Sequence, residues 1–317
     1  MIGIDIGGAN LKVVDDSGVH IHYCPLWEGA PLASLLSQYK KPGQDTAAVV
    51  MSGELADCFT NKIQGITFIT NAVRGVFPGA QFYGTDAAFH RSAVPELAAA
   101  NWLASADFLR QQYPYAVLLD VGSTTTDIIT LSRFDSLRGL SDLHRLQRGY
   151  LIYTGMLRTN IVTLLSSVNL DGIDTLVSSE YFATSADAHF VLCHITPAEY
   201  TCETPDKKEK TKEAALRRLA RVVCADLEEI GEAGAMQVAQ QFWDRQRGII
   251  GDQARCVVRE THATGLIVAG IGAPLFVQEY GGILLSDELG AAADALPAYA
   301  VREVARRCGG FTSSPIL

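Results

Sequence analysis

At 317 residues the chain is longer than a single hydrophobic core normally supports, so two lobes are expected, and with 48% hydrophobic residues both cores can be filled. A formal charge of −9, without any dense run of Lys and Arg, argues against a nucleic-acid partner. No apolar run is long enough to span a bilayer, the first residues lack the basic and apolar regions of a signal peptide, and the seven scattered cysteines form no C-x-x-C pair, so a cytoplasmic protein with reduced thiols and no membrane contact is expected.

The chain opens as an antiparallel meander. Ile2, Ile4 and Ile6 alternate with Gly3 and Asp5, Gly7-Gly8-Ala9-Asn10 makes a tight turn, Leu11 to Val14 returns, and a third strand runs over 19–23 after a turn at 15–18. His20 and His22 share one face of that strand, which reads as a solvated face in the absence of a third metal ligand. A short helix is predicted over 31–39, a buried strand over 47–51, a helix or turn region over 62–76, a strand over 80–83, and a helix over 95–111 that closes the first lobe near residue 112. The remaining residues, 113–317, are assigned to a second lobe.

That lobe begins with a hairpin over 115–131. Ala116 to Leu119 is a buried run ending on Asp120, the chain turns through Gly122-Ser123-Thr124-Thr125, and a second apolar run starts at Ile128. This is either an ordinary core hairpin or a turn that aims backbone N–H groups and hydroxyls at an anion, with Asp120 beside a metal ion. Beyond an apolar, aromatic loop at 148–160, helices are predicted over 179–190, 214–227 and 234–247, a strand at 257–258, a buried strand from 265 emptying into Gly270-Ile271-Gly272 and a helix, and a last helix from 286 to 306 with Pro297 as a kink or break. The mixed charge run at 206–213 reads as a solvated loop or a lid.

Three loops, Asp5 to Lys12, Asp120 to Asp127 and Val268 to Pro274, in that order and spacing, resemble the actin/sugar-kinase/Hsp70 superfamily. The resemblance implies an α/β fold of two duplicated, ribonuclease H-like lobes, each offering a hairpin to a phosphate chain. No G-x-x-x-x-G-K-[ST] loop competes with this reading. The stretches Met51-Ser52-Gly53-Glu54-Leu55-Ala56-Asp57-Cys58-Phe59, Ala98 to Ala104, Tyr153-Thr154-Gly155-Met156-Leu157-Arg158-Thr159 and Phe182 to Asp187 narrow it. Together with the opening hairpin they are similar to the hydantoinase/oxoprolinase-related proteins of tetrahydromethanopterin-linked one-carbon transfer, whose archaeal members are methylofuran-biosynthesis synthases.

That resemblance implies a transferase that joins an aminomethyl-furan methyl diphosphate to the phenol of a γ-glutamyl tyramine or tyrosine unit and releases diphosphate. Its small-molecule partners would be a diphosphate and a phenol, and the sequence leaves room for a homodimer. The site it implies uses the turns at Gly7, Gly8, Asn10, Gly122, Ser123, Thr124 and Thr125, the loop at Gly270 and Gly272, Lys12 as a cation, and Mg²⁺ at Asp5 and Asp120, with Asp120 serving departure of the leaving group. Asp86, backed by His90, is the base for the phenol or else a turn cap. Arg158 meets a substrate carboxylate or the diphosphate, or else bridges the lobes, and Tyr153 stacks on a substrate ring or simply packs. Asp127 orients its hairpin. Ala9 stands where sugar kinases usually carry a Thr, which argues against ATP as a cofactor, although an ATP-dependent kinase or hydrolase of the same superfold and a non-catalytic clamp remain the alternatives.

Overall fold

The computed structural model describes residues 1–309. Its strands are β1 (Ile2–Ile6), β2 (Asn10–Asp15), β3 (Gly18–Tyr23), β4 (Ala47–Met51), β5 (Gln81–Tyr83), β6 (Phe89–His90), β7 (Ala116–Val121), β8 (Thr126–Thr130), β9 (Leu151–Ile152), β10 (Ser167–Leu170), β11 (Ile173–Leu176), β12 (Gly265–Ala269) and β13 (Ile283–Leu284). Its helices are α1 (Leu32–Ser37), α2 (Lys62–Val76), α3 (Asn101–Leu109), α4 (Phe134–Leu137), α5 (Asp142–Arg148), α6 (Ser185–Val191), α7 (Lys212–Arg221), α8 (Leu227–Thr261), α9 (Ala273–Tyr280), α10 (Leu285–Leu289) and α11 (Leu296–Arg307).

The first sheet has the order β3-β2-β1-β4-β5-β6, in which β1 to β3 form an antiparallel meander and β4 and β5 run parallel to β1. The second sheet, β9-β8-β7-β12-β13, repeats the plan: β7 to β9 are the meander, and β12 and β13 run parallel to β7. A meander flanked by parallel strands, used twice, is the duplicated ribonuclease H-like plan that the sequence resemblance implies. All five residues of β1 and of β4 are buried, because both faces of the first sheet are covered. On one face α2 supplies Ile66, Ile69 and Val73. On the other, α3 and α11 are sandwiched between the two sheets, so that Leu103 and Val301 share one core with Val50 of β4 and Leu118 of β7.

The path of α11 departs from a simple division at residue 112. The last helix leaves the second lobe and lies across β1, where a β-carbon on Gly3 would stand 2.1 Å from the Ala298 carbonyl oxygen. Gly3 therefore lets two backbones approach, and residues 296–307 belong with the first sheet. Pro297 stands in the first turn of α11, where its missing N–H costs nothing, and the chain before it is a 3₁₀ segment over Gly290–Ala295. The expected 286–306 helix is thus three pieces. The 95–111 helix likewise splits into a 3₁₀ turn at Pro95–Leu97 and α3. The two valines at 257–258 are not a strand. They continue α8, in which Ala254, Val257 and Thr261 keep helical spacing on the buried face. That helix is interrupted at Gly231, whose φ of 68° is outside helical range. A satellite core under α6, α7, α8 and the β10–β11 hairpin completes the second lobe. Among the described residues, no helix is long and apolar enough to cross a membrane.

Candidate active site

The two meanders make the same turn. In the first, Gly7 donates its N–H to the Asn10 carbonyl at 2.9 Å; in the second, Gly122 donates to the Thr125 carbonyl at 3.0 Å. The turn carbonyls are then pulled outward. Leu26 and Cys24 donate to the carbonyls of Gly8 and Ala9 at 3.0 and 2.8 Å, while Met156, Leu157 and Arg158 donate to those of Gly122 and Ser123 at 2.9, 2.9 and 3.1 Å. With the acceptors tied back, the N–H groups of Gly8, Ala9, Ser123, Thr124 and Thr125 donate to no protein group among the described residues, and neither do the hydroxyls of Ser123, Thr124 and Thr125. Outward carbonyls and unclaimed N–H groups are the ingredients of an anion-binding concavity.

Behind each turn stands an acid. Asp5 pairs across the first hairpin with Lys12, and Asp120 pairs across the second with Asp127. Asp5 is 4% exposed and its Oδ1 has no hydrogen-bond partner. Burial pushes its carboxyl up to about 6 against the pull of Lys12. Asp120 also rises to about 6, first through burial and then through repulsion from Asp127, while Lys12 lowers it and Asp5 raises it. The two acids and the lysine therefore share one electrostatic site between the lobes. Asp127 is not bare: Arg145 of α5 is buried against it, bonds Asp142 at 2.8 Å and lies 4.4 Å over the ring of Trp102. Arg145 thereby neutralises the second acid of the hairpin and leaves Lys12 to serve Asp120.

The third glycine loop meets the second hairpin. Gly272 donates its N–H to the Val121 carbonyl at 3.0 Å, as Ser52 and Gly53 donate to the Ile6 carbonyl in the first lobe. A β-carbon on Gly270, whose φ is +84°, would stand 2.4 Å from the Val121 carbonyl oxygen and 2.6 Å from Oδ1 of Asp120. The close approach and the left-handed backbone both require glycine. Gly270 and Gly272 thus brace Asp120.

The remaining sequence candidates separate. Asp86 caps its own turn, accepting from the Ala88 N–H at 3.2 Å, with His90 Nε2 at 3.0 Å and Arg138 donating to its backbone carbonyl at 2.6 Å. Arg158 leaves the cradle of the second turn and crosses to the first lobe, with its guanidinium 5.4 Å from the Trp27 ring centroid. Tyr153 is 71% exposed. His20 lies 3.6 Å from Asp15 and His22 bonds Tyr39, and among the described residues no group of three potential ligands gathers.

Three features were not legible as site residues. Trp27 and Arg145 carry no local signal, because each acts across a long sequence separation. Glu54, 2% exposed with its Oε2 unpartnered and its carboxyl pushed up to about 6 by burial, lies within the Met51 to Phe59 stretch without a charge pattern to mark it.

The sequence profile of the hydantoinase/oxoprolinase family matches residues 45–292. The (4-{4-[2-(gamma-L-glutamylamino)ethyl]phenoxymethyl}furan-2-yl)methanamine synthase of Methanocaldococcus jannaschii is 32% identical over 325 residues, covering 97% of this chain and 98% of that protein. The protein of the same name from Methanococcus vannielii is 32% identical over 172 residues, covering 54% of this chain and 78% of that one. Among solved structures, a ROK family glucokinase from Streptomyces griseus in complex with glucose and AMPPNP covers 97% of this chain and 99% of its own at 15% identity, with a TM-score of 0.42.

Proposed function

The chain belongs to the hydantoinase/oxoprolinase family, and from that membership we propose that it is a synthase of the kind its relatives are named for, condensing an aminomethyl-furan methyl diphosphate with the phenol of a γ-glutamyl tyramine unit. The relative's name specifies an aryl ether between a phenol and a furan-methanamine, and forming that ether by substitution needs a leaving group on the furan CH₂, the role this reading gives to diphosphate. The observation that carries the reading is the pair of turns, with their carbonyls tied back and their N–H groups unclaimed on either side of Asp5, Lys12 and Asp120.

In this reading the C–O bond to diphosphate breaks with its electron pair leaving on the phosphate oxygen. The N–H groups of Gly8, Ala9, Ser123 and Thr124, together with Lys12, stabilise the charge that grows there, and they are fixed before the reaction begins. The orphaned Oδ1 of Asp5 and the raised carboxyl of Asp120 suit a divalent cation, since Mg²⁺ uses one or two carboxylates together with phosphate oxygens and water. When bound, the ion would neutralise diphosphate charge. Asp86, bonded to His90 in its own turn, is the carboxylate this reading assigns to the phenol proton, and Arg158 the guanidinium it assigns to the diphosphate.

The test is purified protein with Mg²⁺, the furan diphosphate and γ-glutamyl tyramine. Ether and free diphosphate should appear in equal amounts without ATP. A second reading, an ATP-dependent kinase or hydrolase of the same superfold, draws on the glycine loop beside Asp120. It predicts ADP formation that requires the acceptor, and no ether without ATP.

A further inference from the structure

Trp27 lies along the first phosphate turn. Leu26, just before it, donates its N–H to the Gly8 carbonyl at 3.0 Å, Gly29 closes the short 3₁₀ turn with φ 71°, and the indole Cζ3 is 3.9 Å from where a β-carbon on Gly8 would stand. Trp27 is nonetheless 37% exposed, and its indole N–H reaches the adjacent Glu28, at 3.2 Å. A large aromatic held by its backbone against an anion-binding turn, with its ring left open, is placed for something other than the core.

The group that faces it is a cation. The Arg158 guanidinium comes from the other lobe, at the end of the segment that cradles the second turn, and stands 5.4 Å from the ring centroid. It rests against that ring, and among the described residues it forms no ion pair with a carboxylate. Burial raises the phenols of Tyr23 from the first lobe and Tyr181 from the second, each about half exposed, and both lie near enough to feel the same guanidinium pulling the other way. The mouth between the turns therefore carries aromatic rings from both lobes around the Arg158 guanidinium, with the carboxylates of Glu28 and Glu203 also acting on Tyr23.

We propose that the Trp27 indole is the platform for the furan ring of the diphosphate donor, a surface on which Arg158 rests until a diphosphate draws it towards the turns. The inference rests on the ether-forming reading above. The furan is joined to the bridging oxygen through one CH₂, so a diphosphate held by the N–H groups of Gly8 and Ala9 leaves the ring beside whatever lines that turn, and Trp27 lines it. As the C–O bond opens, its electrons depart with the diphosphate and positive charge spreads over the CH₂ and the furan. The face of an indole attracts that charge. The phenol oxygen then supplies the pair for the new C–O bond and gives up its proton to the base. Charge on the ring exists only as the bond breaks, so the indole acts on turnover more than on binding.

Steady-state kinetics of Trp27→Leu and Trp27→Phe, with diphosphate affinity measured by calorimetry, test this. Trp27→Leu should lower kcat by roughly ten- to thirty-fold, the range a desolvated cation–π contact spans, and leave the diphosphate Kd within about twofold. Trp27→Phe should recover most of the loss. Diphosphate alone should change the indole fluorescence of the wild type, and the change should vanish in Trp27→Phe. A Trp27→Leu enzyme with wild-type kcat overturns the platform alone, as does a loss of kcat matched by an equal loss of diphosphate affinity, which marks a merely structural role. A wild type that makes no ether from these substrates removes the underlying reading, and the platform with it.

Discussion

Lys12 and Asp127 occupy the same station in the two halves of the molecule: each is the cross-strand partner of the acid that precedes its glycine turn, yet one is a cation and the other an anion. The duplicated fold has thus kept the hairpin and reversed one charge. Arg145 cancels Asp127 from behind, so the cation that lowers both Asp5 and Asp120 is Lys12. Lys12→Met should reduce kcat/KM by on the order of 10²- to 10³-fold, the usual cost of removing one preorganised group from developing charge. Lys12→Arg should lose less. Retention of activity in Lys12→Met would remove Lys12 from the cradle.

Asp5 predicts a trade between activity and stability. Its carboxyl is raised in the folded state, so the fold carries a penalty above about pH 6, where Asp5 ionises, and none below the ordinary carboxylate range, where it is protonated in both states. Asp5→Asn should therefore abolish turnover while raising unfolding stability by about 2–3 kcal/mol at neutral pH. The gain should close as pH falls from 6 towards 4. Urea melts of both proteins across that range check the sign, and a gain that widened on acidification would refute the assignment of the shift to burial.

What the sequence made legible follows from the range over which each feature is determined. Asp5, Gly7 and Gly8, and Asp120 and Gly122, are set by local turn chemistry, and the hairpins stand where the pattern put them. Features that need two distant segments were hidden. Nothing near Gly3 announces that Ala298 will lie on it, and nothing near Asp127 announces Arg145. The same limit explains the strand read at Val257 and Val258: two β-branched residues suggest a strand locally, while the spacing of Ala254, Val257 and Thr261 that makes them helical becomes decisive only over a longer window.

Gly270 offers a purely steric test. Alanine there faces both a left-handed backbone and a carbonyl oxygen 2.4 Å from the new methyl, with the Asp120 carboxylate at 2.6 Å. Gly270→Ala should cost about 2–4 kcal/mol in stability and displace Asp120. Gly281 also has a positive φ, 70°, but its β-carbon would meet nothing within 4 Å. Gly281→Ala should consequently show the backbone cost alone, about 1–3 kcal/mol because its ψ of −169° places it in a region essentially restricted to glycine, with activity intact. Equal effects at the two positions would mean that the clash at Gly270 is relieved by a small shift.

The last prediction concerns how the second turn is held. Gln246 of α8 donates through Nε2 to the Thr154 hydroxyl at 2.8 Å and the Gly155 carbonyl at 2.9 Å, so its Oε1 accepts from His189 Nε2, also at 2.8 Å. His189 Nδ1 is then left to accept from His194 Nδ1 at 3.0 Å. The chain runs from a half-buried histidine through the core to the segment 154–158 that grips the Gly122 and Ser123 carbonyls. Burial and the neighbouring His194 hold His189 neutral, with its pKa down at about 3. For a base lowered in the folded state, acid favours the unfolded chain, which takes up the proton from the ordinary imidazole range downward. Stability should thus fall by about 2–3 kcal/mol between pH 7 and roughly pH 4.5 from this residue alone. Gln246→Leu removes one donor each from the Gly155 carbonyl and the Thr154 hydroxyl, which keep the Thr159 hydroxyl at 3.2 and 2.9 Å, and leaves the buried His189 Nε2–H without its acceptor, at a cost of about 1–3 kcal/mol, and it loosens the cradle so that diphosphate affinity falls as well. His189→Gln should remove the acid lability while preserving affinity better than Gln246→Leu. Calorimetric titration with diphosphate, beside acid unfolding of each variant, separates the two effects: an acid slope unchanged in His189→Gln would assign the lability elsewhere, and an unchanged diphosphate Kd in Gln246→Leu would show that the turn holds its shape without the network.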